Sequence, residues 1–120
     1  MKPETERWVA TAREDMDVAD AAWGLGYPSS CLFHCQQAAE KLLKAAVTEQ
    51  DVEPPKTHDL VELADLASVE LTQEQRTFLT RLSDHAARSR YPGAEYNEVE
   101  VRELFQETKR FFEWLRAKLS

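Results

Sequence analysis

The stretch of the chain with the clearest chemical potential is an arginine-rich segment, residues 76–90. It holds four arginines against one acidic residue, Asp84, although the formal net charge of the protein is -7. Because a guanidinium group binds phosphate or carboxylate through paired hydrogen bonds, this local excess predicts a small anion site. His85 and Tyr91 add a proton-transfer group and a ring that can stack on a base.

The same segment also has a structural interpretation. Ion pairs are common on helix surfaces, and the chain carries 22 acidic residues against 15 lysines and arginines. The arginines could therefore pair with acidic residues of neighbouring helices or of a partner subunit. The sequence leaves the anion site and the ion pairs open as alternatives.

A second cluster combines Cys31, His34 and Cys35, which are possible zinc ligands at helical spacing. The chain has no second pair of such ligands to complete a tetrahedral site, and both cysteines fall on an apolar stripe. We therefore predict core cysteines and no metal site. The neighbouring polar residues His34, Gln36 and Gln37 are expected to fix the helix register or a dimer contact.

Other patterns do not indicate a common enzyme site. Thr57-His58-Asp59 contains a His-Asp pair, but adjacent side chains on a helix point in different directions. We predict that Thr57 caps a short helix instead. The sequence has no nucleophile elbow, P-loop, dinucleotide fingerprint or HExxH motif. No cofactor is implied.

The elements that must position these residues are helices. With only three Gly and five Pro in 120 residues, the composition favours an all-α protein. Apolar residues at spacings of three and four predict five helices in one domain, 1–120, arranged as an up-and-down bundle. Capping boxes are expected at Thr72 with Gln75 and at Asn97 with Glu100. The predicted helices cover about 5–23, 30–50, 58–67, 72–87 and 97–119.

The composition also limits the cellular location and the ligands that we expect for the protein. No apolar run approaches the ~20 residues that span a bilayer, so we expect a soluble cytoplasmic protein that does not bind membranes. The acidic balance argues against binding of nucleic acid over the whole surface, but allows a local basic patch.

The order of several short motifs resembles the HEPN domain in its small stand-alone prokaryotic form. The resemblance covers nearly the whole chain. The motifs are Tyr27-Pro28, the segment Phe33-His34-Cys35-Gln36-Gln37-Ala38-Ala39-Glu40-Lys41, Thr57-His58-Asp59-Leu60 and Arg90-Tyr91-Pro92-Gly93. The family implies a bundle of four to five helices, a homodimer, and a nucleotidyltransferase protein partner in a toxin–antitoxin pair.

The resemblance also implies functional residues. Many HEPN proteins are metal-independent endoribonucleases in which an Arg-x4-6-His motif holds the scissile phosphate and assists attack by the 2′-hydroxyl. In this chain Arg81 and His85 have three intervening residues, one fewer than the motif, and are the candidate catalytic pair. The match at Arg90-Tyr91, together with Arg88, assigns these three residues to phosphate or ligand binding.

Three functions remain open from the sequence. The preferred one is a nucleotide- or RNA-binding and partner-interaction module. The second is a metal-independent ribonuclease that uses Arg81 or Arg90 on the phosphate and His85 as general base or acid. The third is a structural dimer whose arginines satisfy acidic residues across the interface. Either Tyr91 or Tyr96 is available for modification by a partner enzyme.

Overall fold

The structure is a computed structural model that describes residues 1–89, 91–93 and 95–119. These residues form five helices and no strand. The predicted all-α, up-and-down bundle of four to five helices is therefore confirmed. The helices are α1 (Pro3–Gly24), α2 (Pro28–Glu49), α3 (Leu60–Leu66), α4 (Gln73–Arg88) and α5 (Glu98–Leu119).

Helix α2 is the central element and contacts each of the other four helices. Its sequence alternates small residues with leucines, so neighbouring helices approach its backbone closely on several sides. The helix turns back from α1 through a tight connection in which Gly26 adopts φ 78° and the Tyr27 amide donates to the Ala22 carbonyl at 2.9 Å. Fully buried positions on α2 include Leu32, Leu42 and Leu43.

The short helix α3 begins later than the sequence predicts, and its cap is a different residue. The side chain of Asp59 accepts hydrogen bonds from the amides of Val61 and Glu62 at 3.1 Å each. The Thr57 hydroxyl instead accepts from the Asp59 amide and donates to Glu62. The prediction that Thr57 caps this helix is wrong, because Asp59 is still extended and the helix begins only at Leu60.

Helices α4 and α5 both pack against α2, and they border the groove in which the predicted site lies. The capping box at Thr72 and Gln75 is present with both of its hydrogen bonds. Asn97 accepts from the amides of Val99 and Glu100, but the Glu100 carboxylate contacts α4 rather than closing a second box. None of the helices among the described residues is long and apolar enough to cross a lipid bilayer.

A buried polar network crosses from α2 to the segment before α3. The Glu40 side chain is 5% exposed and accepts from His58 Nδ1 at 2.8 Å, from Gln36 Nε2 at 3.2 Å and from Lys44 Nζ at 3.2 Å. Gln37 in turn donates to Gln36 at 2.9 Å. Burial raises the pKa of Glu40, but the hydrogen bonds from its three donors outweigh burial and the pKa lies below its ordinary value.

This network makes stability depend on pH on the acid side. Because the pKa of Glu40 is lower in the folded state, its contribution is complete above pH 4.5 and is lost as the pH falls through the lowered pKa. We expect Glu40→Gln to cost about 1–3 kcal/mol at pH 7 and to flatten the acid limb of the stability profile. Urea unfolding between pH 3 and pH 7 measures both, with the exposed Glu103→Gln as the charge-matched control. Parallel acid limbs in wild type and Glu40→Gln would contradict this assignment.

Candidate functional site

The candidate catalytic pair is brought together on one face of α4, opposite the start of α5. Arg81 and His85 are one helical turn apart, and both reach the carboxylate of Glu100. His85 Nε2 lies 2.6 Å from Glu100 Oε1, and Arg81 Nη2 lies 3.5 Å from the same oxygen. Arg81 Nη1 is also 4.0 Å from Glu107. Arg81 and His85 thus share one bound anion, which here is an internal carboxylate.

Arg88 joins this cluster from the next turn of α4. Its Nη2 atom lies 3.0 Å from His85 Nδ1 and 3.2 Å from Nε2, so the guanidinium covers the imidazole ring. When the ring proton is on Nε2, His85 donates to Glu100, and the Arg88 guanidinium packs against the face of the ring. The three basic side chains Arg81, His85 and Arg88 form what we call the α4 cation cluster.

The α4 cation cluster borders a cavity of about 560 Å³ between the end of α4 and the start of α5. Tyr96 closes one side, where its hydroxyl donates to the Ser89 carbonyl at 3.1 Å. The Ser29 hydroxyl donates to the same carbonyl at 2.9 Å, which ties the end of α4 to the start of α2. The cavity is lined by His85, Arg88, Glu95, Tyr96, Asn97, Glu100 and Val101.

The other predicted ligand-binding residues are placed differently. Tyr91 is 72% exposed and does not line this cavity. Arg90 lies outside the described residues. Arg76 pairs with Asp65 on α3 at 3.0 Å, as the structural interpretation of the arginines expects. The arginine-rich segment is therefore divided, since Arg76 joins two helices whereas Arg88 and His85 line a cavity.

Sequence reasoning missed the acidic side of the site. Glu100 was expected only as part of a helix cap, and Glu95 and Glu107 received no role. Glu100 lies 15 positions from His85 in the chain, and a separation of that length does not predict whether two residues are in contact. The one available signal was a glutamate in the first turn of a helix that follows a basic helix directly.

The residues of the possible zinc cluster contact different partners in the structure. Cys31 and Cys35 are fully buried, which confirms their predicted place in the core. The hydrogen bond between their thiols lowers the pKa of Cys31 and raises the pKa of Cys35, to which burial adds. His34 Nδ1 instead lies 2.9 Å from Asp15, which also binds Lys41 at 2.7 Å. No group of three metal-ligating side chains is found among the described residues.

Together these features define a helical-bundle protein with a groove of mixed charge between its last two long helices. A family model described as the HEPN domain matches residues 5–118, nearly the full chain. The chain therefore belongs to the HEPN family, as the order of its motifs predicts.

A solved structure agrees with this assignment. The crystal structure of an archaeal HEPN homologue superposes with a TM-score of 0.72 at 25% sequence identity, covering 100% of both chains. No curated protein matches the chain.

The core position of the cysteines predicts their reactivity. Both thiols have no exposed surface, and the raised pKa of Cys35 also keeps its thiolate scarce. We expect a thiol reagent such as Ellman's reagent to modify neither cysteine in the native protein and both after unfolding in guanidinium. Fast modification of the native protein would contradict the packing described for α2.

The internal carboxylate predicts competition at the α4 cation cluster. Because Glu100 occupies the position of a bound anion, Glu100→Gln should raise the affinity for tripolyphosphate about three- to tenfold. Titration calorimetry measures this, and Glu103→Gln is the control because it makes the same charge change at an exposed position of α5. Equal effects of the two variants would mean that only net charge matters.

Proposed function

We propose that this HEPN protein is a nucleotide- or RNA-binding and partner-interaction module that acts as one component of a nucleotidyltransferase–HEPN toxin–antitoxin pair. One observation supports the proposal: Arg81, His85 and Arg88 lie together on one face of α4 in an acidic protein, and His85 and Arg88 line a cavity. The HEPN family is associated with nucleotide- and RNA-related functions.

The chemistry of the α4 cation cluster supports a phosphate ligand. A phosphate group carries more charge and more acceptor oxygens than one carboxylate, so it can bind both arginines and the imidazole at once. Glu100 offsets one of the two arginine charges while no ligand is bound. Binding of a phosphate then exchanges one anion for another of higher charge.

Ribonuclease activity is the second candidate, and a specific contact favours it. His85 forms a 2.6 Å pair with a carboxylate, an arrangement that orients an imidazole for proton transfer. Arg81 would stabilise the phosphate while His85 takes the proton from the attacking 2′-hydroxyl. Both ring nitrogens of His85 are however engaged, by Glu100 and by Arg88, so the geometry favours binding over cleavage.

The partners belong to the proposal as well. We propose a homodimer that works with a nucleotidyltransferase in the cytoplasm. The free thiols of Cys31 and Cys35 are compatible with the reducing conditions of that compartment. Tyr91 is the better substrate for a modifying partner because it is 72% exposed, whereas the Tyr96 hydroxyl is bound to Ser89.

The test compares binding and cleavage on the same samples. Purified protein is incubated in EDTA with a pool of tRNA and mRNA, and gel shift and cleavage are scored together. Arg88→Ala should weaken the shift about tenfold, because among the described residues the hydrogen bonds of this exposed guanidinium are with His85 of the cluster. Arg76→Ala is the matched control on the same helix, since its guanidinium pairs with Asp65 away from the cavity.

The outcomes separate the candidates. A shift that Arg88→Ala loses and Arg76→Ala keeps, without cleavage, supports the binding module. Cleavage that His85→Ala abolishes makes the protein a metal-independent ribonuclease. Equal loss of the shift in both arginine variants, or no shift at all, contradicts a nucleic-acid site at the α4 cation cluster.

A further inference from the structure

A second cavity lies in the same groove between α4 and α5, toward the start of α4 and the end of α5. Its volume is about 700 Å³, within the range of pockets that hold small organic ligands. Three aromatic residues line it, namely Phe78, Phe111 and Trp114. None of them was assigned a role outside the core from the sequence.

The aromatic residues form a connected wall. The ring centroids of Phe78 and Phe111 are 5.9 Å apart, and those of Phe111 and Trp114 are 5.8 Å apart. Both phenylalanines are buried, whereas Trp114 is half-buried and keeps part of its indole accessible. Lys118 Nζ lies 4.7 Å from the centre of the Trp114 ring, a cation–π contact that occupies one face of the indole.

The charges around this cavity cancel. Arg81 and Arg110 line it together with Glu74 and Glu107, and Arg110 makes no ion pair within the described part of the chain. Charge alone therefore attracts neither an anion nor a cation. A ligand would therefore gain its binding free energy by packing on the aromatic wall. A phosphate group of that ligand would bind to one of the two arginines.

Arg81 connects this cavity with the α4 cation cluster. The same guanidinium lines the aromatic cavity and reaches Glu100 at 3.5 Å, at the edge of the second cavity. A ligand that places a phosphate on Arg81 can thus extend in both directions along the groove. An apolar peptide would use the aromatic wall, but it would gain nothing from the α4 cation cluster.

We propose that the aromatic cavity is a nucleobase subsite, in which a base of a single RNA strand stacks on Trp114 while its phosphate binds Arg81, and the buried Phe111 packs against Trp114 from the core. This inference rests on the proposed function and adds the form of the ligand. The strand must be single because the bases of a duplex are already stacked and do not present a free face. The strand continues from Arg81 toward His85 and Arg88 in the cavity of about 560 Å³.

The experiment separates the base from the phosphates. Two fluorescein-labelled probes of equal charge are titrated by anisotropy: an eight-nucleotide oligoadenylate and an eight-unit abasic ribose-phosphate chain. Trp114→Leu keeps an apolar side chain but removes the large flat ring, and should weaken oligoadenylate binding about tenfold without changing the affinity for the abasic chain. Trp114→Phe should retain most of the affinity. Trp8→Leu, at another half-buried tryptophan on α1, is the matched control.

The results distinguish failure of the nucleobase subsite from failure of the proposed function. If Trp114→Leu and wild type bind oligoadenylate equally, or if wild type binds both probes equally, there is no nucleobase subsite and the proposed function still stands. If wild type binds neither probe, the proposed function itself fails. Circular dichroism of each variant confirms that a lost interaction reflects the site rather than the fold, and the comparison of the two probes on wild type supplies the test if Trp114→Leu does not fold.

Discussion

The close packing of four helices around α2 is the constraint on which the rest of the structure depends. Small side chains such as Ala38 and Ala39 let α1, α3, α4 and α5 approach one helix together. Helices α4 and α5 contact α2 more extensively than they contact each other. The groove between them follows from this arrangement, because α4 and α5 both pack on α2 and their solvent-facing sides remain separated from each other. Both cavities of the candidate site lie in that groove.

The second organising feature is the way in which charge is balanced inside an acidic protein. The buried carboxylates Asp15 and Glu40 each bind a histidine and a lysine, so α2 and its neighbours hold no unpaired buried charge at these positions. The α4 cation cluster follows the same rule with Glu100 as its partner. Its partner, however, is 37% exposed, unlike the enclosed Glu40. An incoming anion can displace an exposed carboxylate at a lower desolvation cost than a buried one.

The spacing of Arg81 and His85 differs from that of the ribonuclease motif of HEPN proteins, and the structure shows the consequence for their geometry. Arg81 and His85 have one intervening residue fewer than the motif, yet a spacing of four places both on the same helical face. The shortened spacing therefore still brings the arginine and the histidine to one carboxylate, that of Glu100. The imidazole itself lies between Arg88 and Glu100.

The sequence by itself determined the helical class, the positions of the helices, the core cysteines and the family, because these depend on local periodicity, composition and motif order. It also indicated the cation cluster, since Arg81, His85 and Arg88 lie on successive turns of one helix. Only the tertiary structure decided which side chains oppose that cluster. Glu100 and Trp114 lie on α5, and their contact with α4 depends on how both helices pack on α2. Contacts between distant parts of a chain arise from packing geometry, which spacing along one helix does not encode.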